Sequence, residues 1–412
     1  MKKALIISVG TGTRSNEKSI KSVAGAITFS IQNHNPAKVF FIATKESAKS
    51  TLPIILSKIH STEHDVIEIG DPDNIRAIYE ELKSKFLEIK NNYRPVVVDY
   101  TSGTKAMTGS LAILSAIFEA DTLSYVGGKR KGGIVMGGTE ELQVVRPIFV
   151  VCEKRIREAL KFFNECRFPT TLSIINAIRK MTADKSILDK IAIMRKATLT
   201  YSAWDRFNHC AAFGALKSLK ETKFNGNKRF LGRLLNDNEK EPYLIADLIN
   251  NAKRRGNIER KFDDAVARLY RTVELIAQYR LRKEHEMDSS NLDAKSIPDF
   301  LREKWNIQKT EEKTKISLER AYELLAAKGD DVGKTFAEDK ELRGLLSKRN
   351  SSILAHGLEP MKEETYQRLL SKTLNYAESL IPNLNQHIQD STFVKLNNES
   401  RSSLNARCKS HH

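Results

Sequence analysis

Arg349 and His356 stand seven residues apart in the stretch RNSSILAHG, with Asn350 beside the arginine. These residue types suit phosphodiester cleavage without a metal. Arginine offers a planar fork of donors to a phosphate. Histidine carries a proton near neutral pH, and an amide orients either group. Seven residues make two helical turns, so a helix here would put both side chains on one face, about 10 Å apart along the axis. Ile353 and Leu354 would then face a core. Gly357, with Pro360 beyond, predicts that the helix ends at His356. A helix C-terminus favours the protonated imidazole, which suits a general acid.

A second group of residues reads as an anion site. Gly10-Thr11-Gly12-Thr13 follows one apolar run, and Asp99-Tyr100-Thr101-Ser102-Gly103-Thr104-Lys105 follows another. Glycines let a backbone approach phosphate, and the start of the next helix supplies N–H donors. Hydroxyls add hydrogen bonds. Lys105 falls at a helix start, where a cation opposes the dipole unless an anion sits nearby. Ser15 stands where the last glycine of a dinucleotide fingerprint would be, and no Walker lysine pattern occurs, which disfavours NAD or ATP chemistry.

The elements that must position these loops alternate regularly. Apolar runs at 4–9, 39–43, 66–69, 96–99 and 122–126 are separated by helical periodicity at 19–32, 46–59, 74–89 and 105–118. Such alternation predicts a parallel sheet covered on both faces, a Rossmann-like α/β domain. Residues 142–151 read as a further strand in a hairpin, after a glycine-rich turn carrying Lys129, Arg130 and Lys131. Ligands bind beyond the carboxyl ends of such strands, where both polar loops fall. Lys45 and Asn74, after the second and third strands, could reach the same edge.

From Cys152 onward strand-like runs nearly vanish, and the rest reads as an all-α half. Residues 261–281 form the strongest helix, with Phe262, Val266, Leu269, Val273, Ile276 and Tyr279/Arg280 in one stripe. Tyr270 and Glu274 on that helix could approach the Arg349–His356 face. The expected organisation is a Rossmann-like ligand-binding domain at 1–151, a helical connecting domain at 152–255, a second helical domain carrying the Arg349–His356 stretch at 256–388 and a disordered tail at 389–412. His411 and His412 belong to that tail rather than to a metal site.

Composition narrows the partners. The chain has 412 residues, 40% of them hydrophobic, and a net charge of +17. That is enough for two or three cores and favours a polyanionic partner, nucleic acid over membrane. No run of eighteen apolar residues occurs, so no membrane span is expected. The four cysteines form no C-x-x-C pair, so a cytoplasmic protein without a zinc site is expected. The acids Asp263 and Asp264 do not make a metal-nuclease cluster.

Three stretches carry a family resemblance. RNSSILAHG resembles the R-x(4–6)-H signature of HEPN ribonucleases. DYTSGTKAM resembles the D-x-T-G-G-T-K-x-M motif of CARF domains, with Ser102 at the commoner first glycine. RLYRTVE, at 268–274, is similar to a helix that opens the nuclease domain of CARF–HEPN effectors of type III CRISPR systems. The resemblance implies a homodimeric single-stranded RNA endonuclease with no metal cofactor, allosterically activated by a cyclic oligoadenylate. It implies that Gly10, Thr11, Gly12, Thr101, Ser102, Gly103, Thr104 and Lys105 line the activator site, and that Arg349, Asn350 and His356 are catalytic. If the activator is also cleaved in its pocket, as in some family members, Lys105 and Thr11 are the candidates. The alternative is a ligand-sensing transcription regulator or non-catalytic nucleic-acid binder, in which RNSSILAHG is coincidental.

Overall fold

The first two strands, β1 (Ala4–Val9) and β2 (Lys38–Ala43), are apolar at nearly every position. Only a strand buried on both faces tolerates that pattern. The computed structural model describes residues 2–12, 16–131, 134–308 and 312–397. Two compact units result. One holds the chain up to residue 157 with 176–188, and the other holds 158–175 and the chain from 189.

In the first unit the helices α1 (Glu17–His34), α2 (Lys45–Ser50), α3 (Leu52–Leu56), α4 (Ile75–Asn92) and α5 (Lys105–Ile117) alternate with β1, β2, β3 (Glu63–Glu68), β4 (Val96–Asp99) and β5 (Thr122–Gly127). A hairpin, β6 (Arg130–Lys131) with β7 (Ile134–Val135), precedes β8 (Glu141–Val145). The six-stranded sheet runs β3-β2-β1-β4-β5-β8, parallel except for β8, which lies antiparallel to β5. Alternate residues of each strand supply the two cores. Ile6, Phe40, Ile42 and Val98 meet Ile78, Leu82, Met107 and Leu111 on one face. Leu5, Ile7, Phe41 and Val97 meet Ala24, Ile27, Leu52 and Ile55 on the other. The expected Rossmann-like domain is therefore present.

Two boundaries differ from the sequence reading. The helix expected over 46–59 is two, because Pro53 lies in the first turn of α3, where its missing N–H costs nothing. The strand expected over 142–151 stops at Val145, and a helix starts at Ile148, since Pro147 cannot donate to a ladder.

The second unit is almost entirely helical. Helices α6 (Ile148–Asn164), α7 (Phe168–Met181) and α8 (Lys185–Trp204) contribute residues to both units. Then come α9 (His209–Lys217), α10 (Asn225–Asn236), α11 (Glu241–Lys253), α12 (Phe262–His285), α13 (Asp299–Lys304), α14 (Leu318–Ala327), α15 (Asp331–Glu338), α16 (Lys340–Lys348), α17 (Glu363–Leu380) and α18 (Leu384–Ser391). A short pair, β9 (Leu292–Asp293) with β10 (Lys313–Thr314), interrupts them. In α12, Val266, Leu269, Val273 and Ile276 are fully buried, as their spacing predicts. Among the described residues, no helix is long and apolar enough to cross a membrane.

The expected disordered tail begins too early. Phe393 stacks on Tyr201 with ring centroids 4.2 Å apart, and the Arg254 guanidinium lies 3.9 Å from the Phe393 centroid. Leu396 is buried and exchanges two hydrogen bonds with the Asn164 side chain, at 2.9 and 3.0 Å. Aromatic burial thus orders a stretch that polar composition had marked as tail. Residues 398–412, including Cys408, His411 and His412, lie outside the described residues.

Two predictions concern this framework. Between α11 and α12 runs a π-turn, Arg254–Ile258, where a Cβ on Gly256 would stand 2.2 Å from the Tyr366 ring. Gly256→Ala should destabilise the protein by about 1–3 kcal/mol, read as a lower denaturation midpoint with unchanged slope. In the first unit, Asp99 is fully buried and accepts from Ser30 Oγ at 2.6 Å and Ser124 Oγ at 2.8 Å. The Ser124 oxygen therefore accepts from His34 Nε2, 2.9 Å away. Burial pushes the His34 imidazole below its ordinary value of 6.5, with Asp99 opposing and Lys3 assisting. The unfolded chain then takes up this proton more readily, so the contribution of His34 is complete above about pH 6.5 and fades as pH falls below it. Melting temperature should drop on acidification from about pH 7.5 to 5.5, and His34→Gln should flatten that drop.

Candidate ligand cleft and candidate active site

A cleft of about 840 Å³ opens at the carboxyl ends of the strands in the first unit. The loops after β1 and β4 form its floor and touch each other. A Cβ on Gly10 would lie 2.6 Å from the Gly103 nitrogen, and Gly103 itself has φ +109°. A side chain at Gly10 would push the other loop away, and one at Gly103 would be strained by its positive φ and press on Met107. Ser102 locks the pair: its hydroxyl donates to Ser8 O and accepts from Gly10 N, both at 2.9 Å. Ser8 Oγ in turn donates to Ser102 O. The serine found in place of a glycine thus ties the two loops together.

The other expected residues divide by role. Gly10, Thr11, Gly12, Thr101, Ser102, Gly103 and Thr104 all line the cleft. Thr101 Oγ1 accepts from Val126 N at 2.8 Å, and Thr101 N donates to Asp99 Oδ1 at 2.8 Å. Thr104 caps α5, accepting from Met107 N at 3.1 Å and donating to Pro72 O. These hydroxyls shape the floor as well as facing it. Lys105, the first residue of α5, is exposed and does not line the cleft. Lys45 does line it, whereas Asn74 is occupied in capping α4. Thr13 and Ser15 lie outside the described residues.

Sequence reasoning missed Arg130 and Val135, which the β6–β7 hairpin brings to the cleft, and the carboxylates Glu46 and Asp73. The signal was the basic run at 129–131, which a strand-edge argument alone does not connect to the loops. Arg130 donates to the Tyr125 hydroxyl, and Tyr125 stacks on Tyr100 with centroids 5.4 Å apart. Lys45 and Arg130 are the two cations of the cleft wall among the described residues.

In the second unit the Arg349–Gly357 stretch is not the two-turn helix expected. After α16 the chain makes one 3-10 turn, Arg349–Ser351, and Ser352 is extended, with φ −85° and ψ 162°. Adjacent Asn350, Ser351 and Ser352 favour turns and caps over helix interior. The chain then folds back on itself. Ala355 N donates to Ser352 O at 2.9 Å, His356 N to Asn350 O at 3.2 Å, and Glu359 N to Ser351 O at 3.0 Å. Gly357 is packed so closely that a Cβ would lie 2.0 Å from Ser351 O. Ile353 and Leu354 are 65% and 45% exposed, so they do not face a core. His356 is exposed in a turn, and a helix dipole no longer bears on it. The compact loop nevertheless joins Asn350 and His356 through their backbones, one turn from Arg349.

Arg349 packs over the ring of Tyr270 on α12, with Cζ 4.9 Å from the centroid. Its Nε is buried without a hydrogen-bond partner, as is Ser352 Oγ. Glu274 does not reach this group and pairs with Arg271 at 2.6 Å. Burial raises the Tyr270 hydroxyl above its ordinary value, Glu274 adds to the rise, and Arg349 opposes it. Among the described residues, no group of three or more His, Cys, Asp or Glu side chains is placed to hold a metal ion.

Residues 234–380 match the family model of the Csm6 HEPN domain. Nearly all of the chain superposes on a solved structure of Enterococcus italicus Csm6 bound to cyclic hexa-2′-fluoro-hexa-dAMP. The TM-score is 0.62 at 10% identity, covering 95% of this chain and 99% of that one. No curated protein sequence matches. The Arg349–His356 loop falls inside the region that matches the Csm6 HEPN domain, and the six-stranded α/β unit that precedes it has the fold of the superposed structure.

Proposed function

We propose that the chain is a metal-independent endoribonuclease for single-stranded RNA in type III CRISPR defence, activated when a cyclic oligoadenylate occupies the α/β cleft. The observation that carries this reading is the position of Arg349, Asn350 and His356 on one compact loop within the region matching the Csm6 HEPN domain. In this reading 1–151 senses the activator, 152–255 connects and 256–388 cleaves.

The chemistry follows from the residue types. The RNA 2′-hydroxyl attacks the adjacent phosphorus while His356 moves a proton, as base to the hydroxyl or acid to the leaving 5′-oxygen. Arg349 stabilises the charge that grows on the phosphorane-like transition state. Asn350 orients the RNA or His356. Facing loops from two copies of the chain converge on one phosphate, so the active form is a homodimer. The product carries a 2′,3′-cyclic phosphate.

The test is cleavage of a fluorescent single-stranded RNA in EDTA with cyclic tetra-adenylate, cyclic hexa-adenylate or no ligand. Cleavage triggered by one ring is expected, with cleavage blocked by a 2′-deoxy substitution at the cut site. Tight ligand binding without cleavage by either ring would overturn the nuclease reading. Arg349→Ala and His356→Ala should each lower the rate by at least about a hundredfold while leaving ligand binding intact.

The cleft makes a separate prediction. Lys45 and Arg130 line it and Lys105 does not. Lys45→Ala and Arg130→Ala should each raise the activator concentration needed by about tenfold, as expected for one lost charge-assisted bond. Lys105→Ala should have the smaller effect, read from activation curves of the three variants side by side.

A further inference from the structure

The geometry points to Tyr270 as a positioning residue that holds Arg349 without neutralising it, so that the full guanidinium charge faces the scissile phosphate. This rests on the role of Arg349 in the proposed function. The four arginines of α12 show the usual arrangement. Arg268 pairs with Asp264, Arg271 with Glu274, Arg280 with Asp330 and Arg282 with Glu241. Arg349 differs, because among the described residues it has no carboxylate partner. What it has is an aromatic face, with Cζ 4.9 Å from the Tyr270 centroid.

The difference matters for chemistry. A carboxylate would fix the guanidinium firmly, but it would cancel the field at the phosphate and compete with the phosphate for the same donors. An aromatic ring attracts a cation through its quadrupole and carries no net charge. The enclosed Nε has no partner, so hydrogen bonds to a phosphate must come from the two terminal nitrogens, which form the fork suited to bidentate contact. Glu274 is near enough to act on Tyr270 through its charge but is taken by Arg271. Glu274 is thereby kept from neutralising Arg349. Tyr270 itself is held by the buried stripe of α12, since Leu269 beside it and Val273 one turn on are fully enclosed.

The experiment compares Tyr270→Leu, Tyr270→Met and Tyr270→Phe in the full-length chain. Cleavage of single-stranded RNA is followed in EDTA at saturating cyclic hexa-adenylate and again at saturating cyclic tetra-adenylate. Tyr270→Phe keeps the ring and should retain kcat within about twofold, since only the hydroxyl is lost. Tyr270→Leu and Tyr270→Met remove the ring and should lower kcat by about ten- to a hundredfold, the scale of a misplaced catalytic group. KM, melting temperature and activator binding should change little. A purely packing role would lower the melting temperature and leave kcat per folded molecule unchanged, and that result would overturn the inference. Equal loss in the Phe variant would do so too, by assigning the effect to the hydroxyl. Should the Leu variant fail to fold, the Met and Phe pair gives the same reading. Arg349→Ala is run alongside. If it cleaves normally, the proposed active site is wrong, whereas an inactive Arg349→Ala beside a fully active Tyr270→Leu refutes only the role of Tyr270.

Discussion

Burial of one stripe of α12 sets the position of almost everything in the helical unit. Ala265, Val266, Leu269, Val273, Ile276 and Ala277 are fully enclosed. Each large aliphatic side chain among them contributes about 1.5–3 kcal/mol by leaving water. The Tyr322 hydroxyl donates to Val273 O at 2.9 Å, tying α14 to the same helix. A helix held this way cannot rotate without exposing its stripe, so its flanks are fixed as firmly as its core. Tyr270 is on one flank and meets Arg349. Arg280 is on another, bound to Asp330, the residue that caps α15. The outer surface of α12 therefore takes its geometry from the apolar face it hides.

The sheet unit depends on a different constraint, a carboxylate with no access to water. Asp99 ends β4 where both faces of the sheet are covered, and a buried charge must be surrounded by donors. Ser30 and Ser124 bring α1 and β5 to it, and Thr101 N brings the loop that follows. Ser102 then ties that loop to the one after β1. The cleft floor is thus an extension of the solvation of Asp99, and its shape is set by groups that need not touch a ligand.

How far the sequence could be read follows from this division. Strands buried on both faces write themselves as unbroken apolar runs, so the sheet and the loops at its carboxyl edge were legible. The edge strand β3, with Glu63 and Asp65 paired to Lys38, was legible only in its apolar end, because an edge needs no apolar face. Arg130 was not legible as a cleft residue, since a hairpin carries it there and hairpin placement leaves no periodic trace. The Arg349–Gly357 stretch showed the reverse failure. Its residue types announced their chemistry, but helical spacing misplaced them. The clustered Asn350, Ser351 and Ser352 and the clash that any side chain at 357 would meet turn the chain into a loop. Phe393 was lost among polar neighbours, although a lone aromatic in a polar run is itself a mark of a docking segment.

That docking segment has a kinetic consequence. Asn164 and Leu396 are bonded across 232 residues, and Asn227 donates to the carbonyl of Thr392 across 165. Contacts of such separation delay folding, because the whole intervening chain must be brought back before they form. The aromatic cluster around Tyr201 and Trp204 cannot be completed until Phe393 has left the ribosome. The helical unit therefore closes its core only once this strap is available, with the Arg349–Gly357 loop made some forty residues earlier.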